Sequence, residues 1–166
     1  MFFARIKSIA ALLFGAVCIS CAPKETAAPF DAVFEIGIGG RSLECQIAVS
    51  PYEKARGLMF RESLGKNAAM VFVLGAPQRA SFWMKNTQIP LDIAFLDKDG
   101  RITEIRKMYP LDLNAVSSAS DKICYCIETN QGWFADNKIT AGDAIDMDAF
   151  LSALGKRKLW NEKGSN

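Results

Sequence analysis

From Phe30 onward, apolar and polar positions alternate in short runs instead of recurring at helical spacing, as in strands with one buried face. The segments 32–38 and 43–49, separated by Gly39-Gly40, predict a β-hairpin. Ser50-Pro51 then offers an N-cap with proline at the first helical position, so a short helix over 51–56 should end near Gly57. The segment 69–74 is a continuous apolar run between Gly65 and Gly75, which predicts a strand buried on both faces. Segments 80–85 and 91–96 predict two more, and Asp97-Lys98-Asp99-Gly100 turns the second into a strand over 101–105. After a loop rich in Asn, Ser and Ala come a strand over 123–129, a one- or two-turn helix around 132–136, and a strand over 144–147 behind Gly142-Asp143. Seven to eight strands, one or two short helices and no long βαβ spacing predict a mainly β, single-domain sandwich or partly open barrel over 31–150. The tail, 151–166, adds at most a short helix, with 156–166 solvated.

The N-terminal segment has another pattern. Arg5 and Lys7 precede an apolar run over 9–19, shorter than the ~20 residues that span a bilayer, and small residues follow. This is the layout of a secretory signal over 1–21. Cleavage after Ala22 would give a soluble exported protein. Cleavage before Cys21 would resemble a lipoprotein signal, with Ile19 and Ser20 in place and Cys18 where leucine is usual. Cys21 is then the lipid attachment residue and 22–30, rich in Ala and Pro, a flexible tether. The domain is expected outside the cytoplasm: lipid-anchored in the bacterial envelope, facing the periplasm and touching membrane through its lipid only, or else soluble in the periplasm or secreted, with an uncleaved anchor as the third alternative.

Charge and composition narrow the chemistry. Lys plus Arg number 20 against 18 for Asp plus Glu, and without Arg5 and Lys7 the two are equal. That excludes a nucleic-acid binder driven by phosphate charge. The chain contains no histidine, which removes imidazole bases, Ser-His-Asp triads and His-ligated zinc. Cys45, Cys124 and Cys126 fall in the folded part. They read as buried apolar side chains, as one disulfide between Cys45 and a thiol of the 123–129 strand, or as soft-metal thiolates. No segment has the tight spacing of a metal loop, so neither metal nor cofactor is expected.

Two segments concentrate polar and aromatic groups. In the first, Arg56 and Arg61 offer guanidinium forks suited to carboxylate or phosphate; in the second, Trp83 offers an aromatic plate, Lys85 a point charge, Asn86 an amide and Asp92 a carboxylate. These segments, Arg-Gly-Leu-Met-x-Arg-x-x-Leu from Arg56 to Leu64 and Phe-Trp-Met-Lys-Asn-Thr-x-Ile-Pro-Leu-Asp-Ile-x-Phe from Phe82 to Phe95, together with Gly132-Trp133 and Gly142-Asp143, resemble the signatures of the domain of unknown function 192 family. The resemblance runs from Val33 to Met147. It implies a compact, mainly β domain, often behind a signal peptide, and carries no activity.

The expected function is binding of a small anionic or polar ligand, or a partner's carboxylate, at Arg56, Arg61, Trp83, Lys85, Asn86 and Asp92, by a monomeric protein. One alternative is a structural module that docks on an envelope protein through the edge bearing Trp83. Another is a histidine-free lyase or hydrolase with Asp92 or Glu62 as base, although no nucleophile elbow or phosphate loop supports an enzyme. In the bland alternative, Arg56 is paired with Glu62 or Asp92 and Lys85-Asn86 simply end a strand.

Overall fold

The computed structural model describes residues 30–161, with side chains through Arg157. The signal, Cys21 and nearly all of the tether lie outside the described residues. Among the described residues, no helix is long and apolar enough to cross a membrane.

The fold is mainly β, as the alternation predicts. Strands β1 (Phe34–Ile38), β2 (Arg41–Ala48), β3 (Ala68–Gln78), β5 (Leu91–Leu96), β6 (Ile102–Met108) and β8 (Ile123–Asn130) form one sheet in the order β1-β2-β3-β8-β5-β6. Two short strands, β4 (Ser81–Phe82) and β7 (Val116–Ser117), pair separately. Helices α1 (Pro51–Arg56), α2 (Trp133–Asp136) and α3 (Met147–Asn161) complete the described elements.

Both predicted hairpins form, β1 with β2 and β5 with β6. The exception to antiparallel pairing is β2 with β3, which run parallel. Their crossover, 49–67, carries only the short helix α1. That helix starts with a capping box: Ser50 accepts from the Glu53 N–H at 3.2 Å, while the Glu53 carboxylate accepts from the Ser50 N–H at 2.9 Å.

The central strands are covered on both faces, which explains the continuous apolar run in β3. Successive side chains alternate between faces. One set, including Ile36, Ile47, Val71, Leu96 and Ile127, packs under Trp133 and Phe134 of α2 and Phe150 of α3. The other, including Met70, Phe72, Leu91, Ile93, Phe95 and Cys126, packs under Leu58, Ala80, Met84 and Ile89. Phe82 meets Phe72 edge-on at 5.0 Å and Phe95 at 6.3 Å, seating the small sheet on this second face.

Segment 144–147 is not a strand. It makes two isolated bridges, Ala144 to Arg101 and Ile145 to Ile38. The Ile145 N–H donates to Gly100 O at 3.1 Å and the Asp146 N–H to Gly37 O at 2.7 Å. This segment thus bonds beside both edge strands, β1 and β6, leaving a partly open barrel.

The tail departs from the solvated expectation. Phe150, Ala153, Leu154 and Arg157 recur at helical spacing on one face of α3, and all four are buried. Arg157 is fully buried: Nε donates to Ile47 O at 3.1 Å, and Nη2 pairs with the Glu53 carboxylate. Cys45, Cys124 and Cys126 are buried free thiols. Cys45 faces the α2/α3 side and Cys126 the opposite side, so the sheet separates these two thiols.

Candidate functional site

The two signature segments, far apart in sequence, meet over the second face of the sheet. The first leaves α1 at Gly57, whose φ of +46° few other residues adopt and whose N–H donates to Glu53 O at 2.8 Å. The second makes a tight turn at Met84–Thr87, closed by the Thr87 N–H donating to Met84 O at 3.1 Å. Its third position needs positive φ, and Asn86 supplies +55°. The Phe60 N–H then donates to Asn86 O at 2.8 Å, and the Leu111 N–H to Thr87 O at 3.0 Å. Phe60 (φ +64°) and Leu111 (φ +60°) are also left-handed, which costs a bulky side chain roughly 1–2 kcal/mol. Three loops are therefore held in strained, mutually bonded conformations around one spot, an arrangement that clusters at functional sites.

The first two of these loops line a cleft of about 40 Å³. Arg56, Met59, Phe82, Trp83, Thr87 and Glu128 are among its lining residues. Glu128 sits on β8 opposite Met70 of β3 and Ile93 of β5, pointing to the face that carries the loops. It is 5% exposed, and no hydrogen bond or ion pair from another described residue reaches its carboxyl. Burial alone pushes it up to about 8, so it holds its proton at neutral pH. A neutral carboxyl both donates and accepts a hydrogen bond.

Arg56 is exposed and forms no ion pair with Glu62, Asp92 or any other described carboxylate. It lines both the cleft and a wider groove of about 340 Å³ that also holds Phe60 and Arg61. Arg61 is half-buried and donates to the Gln46 side-chain carbonyl. Trp83 is 49% exposed. Lys85 lies over its ring, 5.2 Å from the centroid, a cation–π contact. Asn86 is exposed and serves the turn through its backbone.

Asp92 stands apart. It alternates with Leu91 and Ile93, which face the cleft side, so its carboxylate points toward α2, where Oδ2 accepts from the Gly132 N–H at 2.8 Å. Its Oδ1 is buried without a hydrogen-bond partner. Burial raises its pKa, opposed by Gly132 and Lys107. Glu62 is exposed and lines none of the pockets described above. The structure thus brings together Arg56 and Trp83, places Lys85, Asn86 and Arg61 around them, and excludes Asp92. Glu128 was hidden in a run read only as an apolar strand. Its signal was a lone acid on the face it shares with Cys126, in a strand with both faces covered.

Among the described residues, no group of three Cys, Asp or Glu side chains could hold a metal ion. The cleft can hold a small polar head group against a donor-acceptor floor, with a cation and an aromatic plate at its mouth.

Comparison with solved structures finds the same fold. A Novosphingobium aromaticivorans protein of unknown function superposes with a TM-score of 0.65 and 33% identity, over 69% of this chain and 84% of that one. A Sinorhizobium meliloti protein described as a candidate transcription regulator gives 0.66 and 28% identity, over 73% and 95%. No curated protein matches the sequence. The profile of the uncharacterised DUF192 family matches residues 33–147, the span that contains every loop around the cleft. The chain belongs to the DUF192 family.

Proposed function

We propose that this protein is a small-ligand-binding module of the bacterial cell envelope, taking an anionic or polar ligand into the cleft between Arg56 and Trp83. One observation carries the reading: two distant signature segments, bonded through Phe60 and Asn86, converge over the Glu128 carboxyl, which opens into the cleft and takes no hydrogen bond from any other described residue. A carboxyl with no protein partner keeps its hydrogen-bonding capacity free for a ligand that enters the cleft. Catalysis by paired carboxylates has less support, because Glu128 is the one carboxylate among the residues that line the cleft.

Titration of sugar acids, phosphates and short peptides, read by tryptophan fluorescence with a Trp83→Phe control, tests this. A saturable change lost in Trp83→Phe and Arg56→Ala is expected; no change with any of the three classes refutes the site. Envelope attachment is tested separately. Cys21→Ser should move the protein from membrane to soluble envelope fraction, since stable anchoring needs acyl chains at that cysteine; wild type already soluble after cleavage would refute the lipid anchor.

A further inference from the structure

Glu128 and Arg56 line the same cleft yet form no ion pair with each other. The acid and the guanidinium thus share one cleft, and neither has an ion-pair partner among the described residues. A ligand that joins them must offer an acceptor to the acid and a negative charge to the guanidinium. A carboxylate does both through its two oxygens. Size agrees: water takes roughly 10–15 Å³ by this measure, so 40 Å³ admits about three non-hydrogen atoms, the size of a carboxylate head group. The rest of such a ligand would emerge beside Trp83, whose ring is half exposed.

Building on the binding role proposed above, we infer that the cleft takes the carboxylate head of a small organic acid together with one proton, held on Glu128, which donates its hydrogen bond to one ligand oxygen while Arg56 pairs with the other. The proton is essential. An ionised Glu128 would place two negative charges in contact inside a cleft with little water, and the anion would be expelled. The groups packed around Glu128 allow this. Met70 and Ile93 on the adjacent strands are apolar; Cys126, two residues before it on its own strand, is a thiol that burial keeps protonated. From α1, Lys54 and Arg56 are the cleft's charged groups, with Lys54 Nζ engaged to Val73 O at 3.0 Å; Thr87 is the neutral polar group, its hydroxyl bonded to Lys85 O at 3.3 Å. Burial places the Glu128 titration at about 8, so the switch from binding to expulsion falls just above neutral pH.

The test is calorimetric titration of the purified protein with benzoate, acetate and glucuronate, and with benzylamine as a cationic control, in buffers of different ionisation enthalpy at pH 6 and pH 9. Carboxylates should bind at pH 6 without proton exchange and at pH 9 with uptake of close to one proton. Above pH 8 their affinity should fall about tenfold per unit, by linkage. Glu128→Gln stays neutral and keeps a donor, so it should bind benzoate equally at both pH values with no proton uptake. Arg56→Ala should not bind. Should Glu128→Gln fail to fold, the infrared carbonyl band of a protonated carboxyl in wild type, retained at pH 9 upon adding benzoate, gives the same answer. Benzoate binding at pH 9 without proton uptake would overturn the inference while leaving the binding role standing. Benzylamine binding that strengthens at pH 9 would overturn the carboxylate assignment, and silence toward all three acids would overturn it together with the anion-binding reading.

Discussion

Asp92 and Glu128 occupy neighbouring strands one register step apart, Asp92 opposite Thr129 and Ile93 opposite Glu128, and face opposite sides of the sheet. Two buried acids so close in the ladder therefore serve unrelated surroundings. One receives the N–H of Gly132 at the start of α2, and the other looks into the cleft.

Glu128 should make stability depend on pH. Its folded pKa lies above the unfolded value, so the folded state binds the extra proton between about pH 4.5 and 8. The stability it contributes is complete below that window and lost as pH rises through it, by an amount on the order of 5 kcal/mol in full. Thermal melts of wild type should fall by about 10 °C between pH 5 and 8, and Glu128→Gln should remove most of that slope. Equal slopes in the two proteins would contradict a buried neutral acid.

Arg56→Ala should barely change the melting temperature, because an exposed guanidinium without an ion pair contributes about 0–1 kcal/mol at most. A fall of ten degrees would instead reveal a buried partner.

The pair of Arg157 and Glu53 should behave in the opposite way. Arg157→Ala strands the Glu53 carboxylate in the interior and should cost about 3–5 kcal/mol in denaturant melts. Arg157→Met with Glu53→Gln should cost less than the two single changes added together. Strict additivity would show that the contact carries no coupling.

Asn86→Gly should keep carboxylate binding and stability, while Asn86→Ala should lose about 1 kcal/mol, since the position demands φ of +55°. Lost binding in Asn86→Gly, measured by the same calorimetry, would return the amide to the list of ligand contacts.

Alkylation of denatured protein without reductant should label Cys45, Cys124 and Cys126 alike, since all three are free and the sheet lies between Cys45 and Cys126. A protected pair on mass spectrometry would contradict this register.

Strands were legible where alternation or a bounded apolar run left one solution, as in β2, β5 and β8. The parallel pairing of β2 with β3 was not, because strand direction is decided by where the chain returns and 49–67 gives no long helix to mark a crossover. Segment 144–147 reads as a strand because its apolar residues serve the barrel seam, where only two bridges fit. Arg56 and Trp83 stood out by residue type. Glu128 did not, because a carboxyl's meaning depends on what covers it, and its cover comes from loops forty or more residues earlier. Asp92 was misgrouped for the same reason: adjacency in sequence along a strand means opposite faces in space.

The family match ends at Met147, but Phe150, Ala153, Leu154 and Arg157 belong to the same core. A protein cut at the family boundary would lose the guanidinium that clamps Glu53, and Glu53 both starts α1 and accepts the Gly57 N–H that aims Arg56 at the cleft. The smallest unit able to present the site is thus longer than the span the family shares. This chain's C-terminal helix thus braces the loop that carries Arg56 from 104 residues away in sequence, the separation of Arg157 from Glu53.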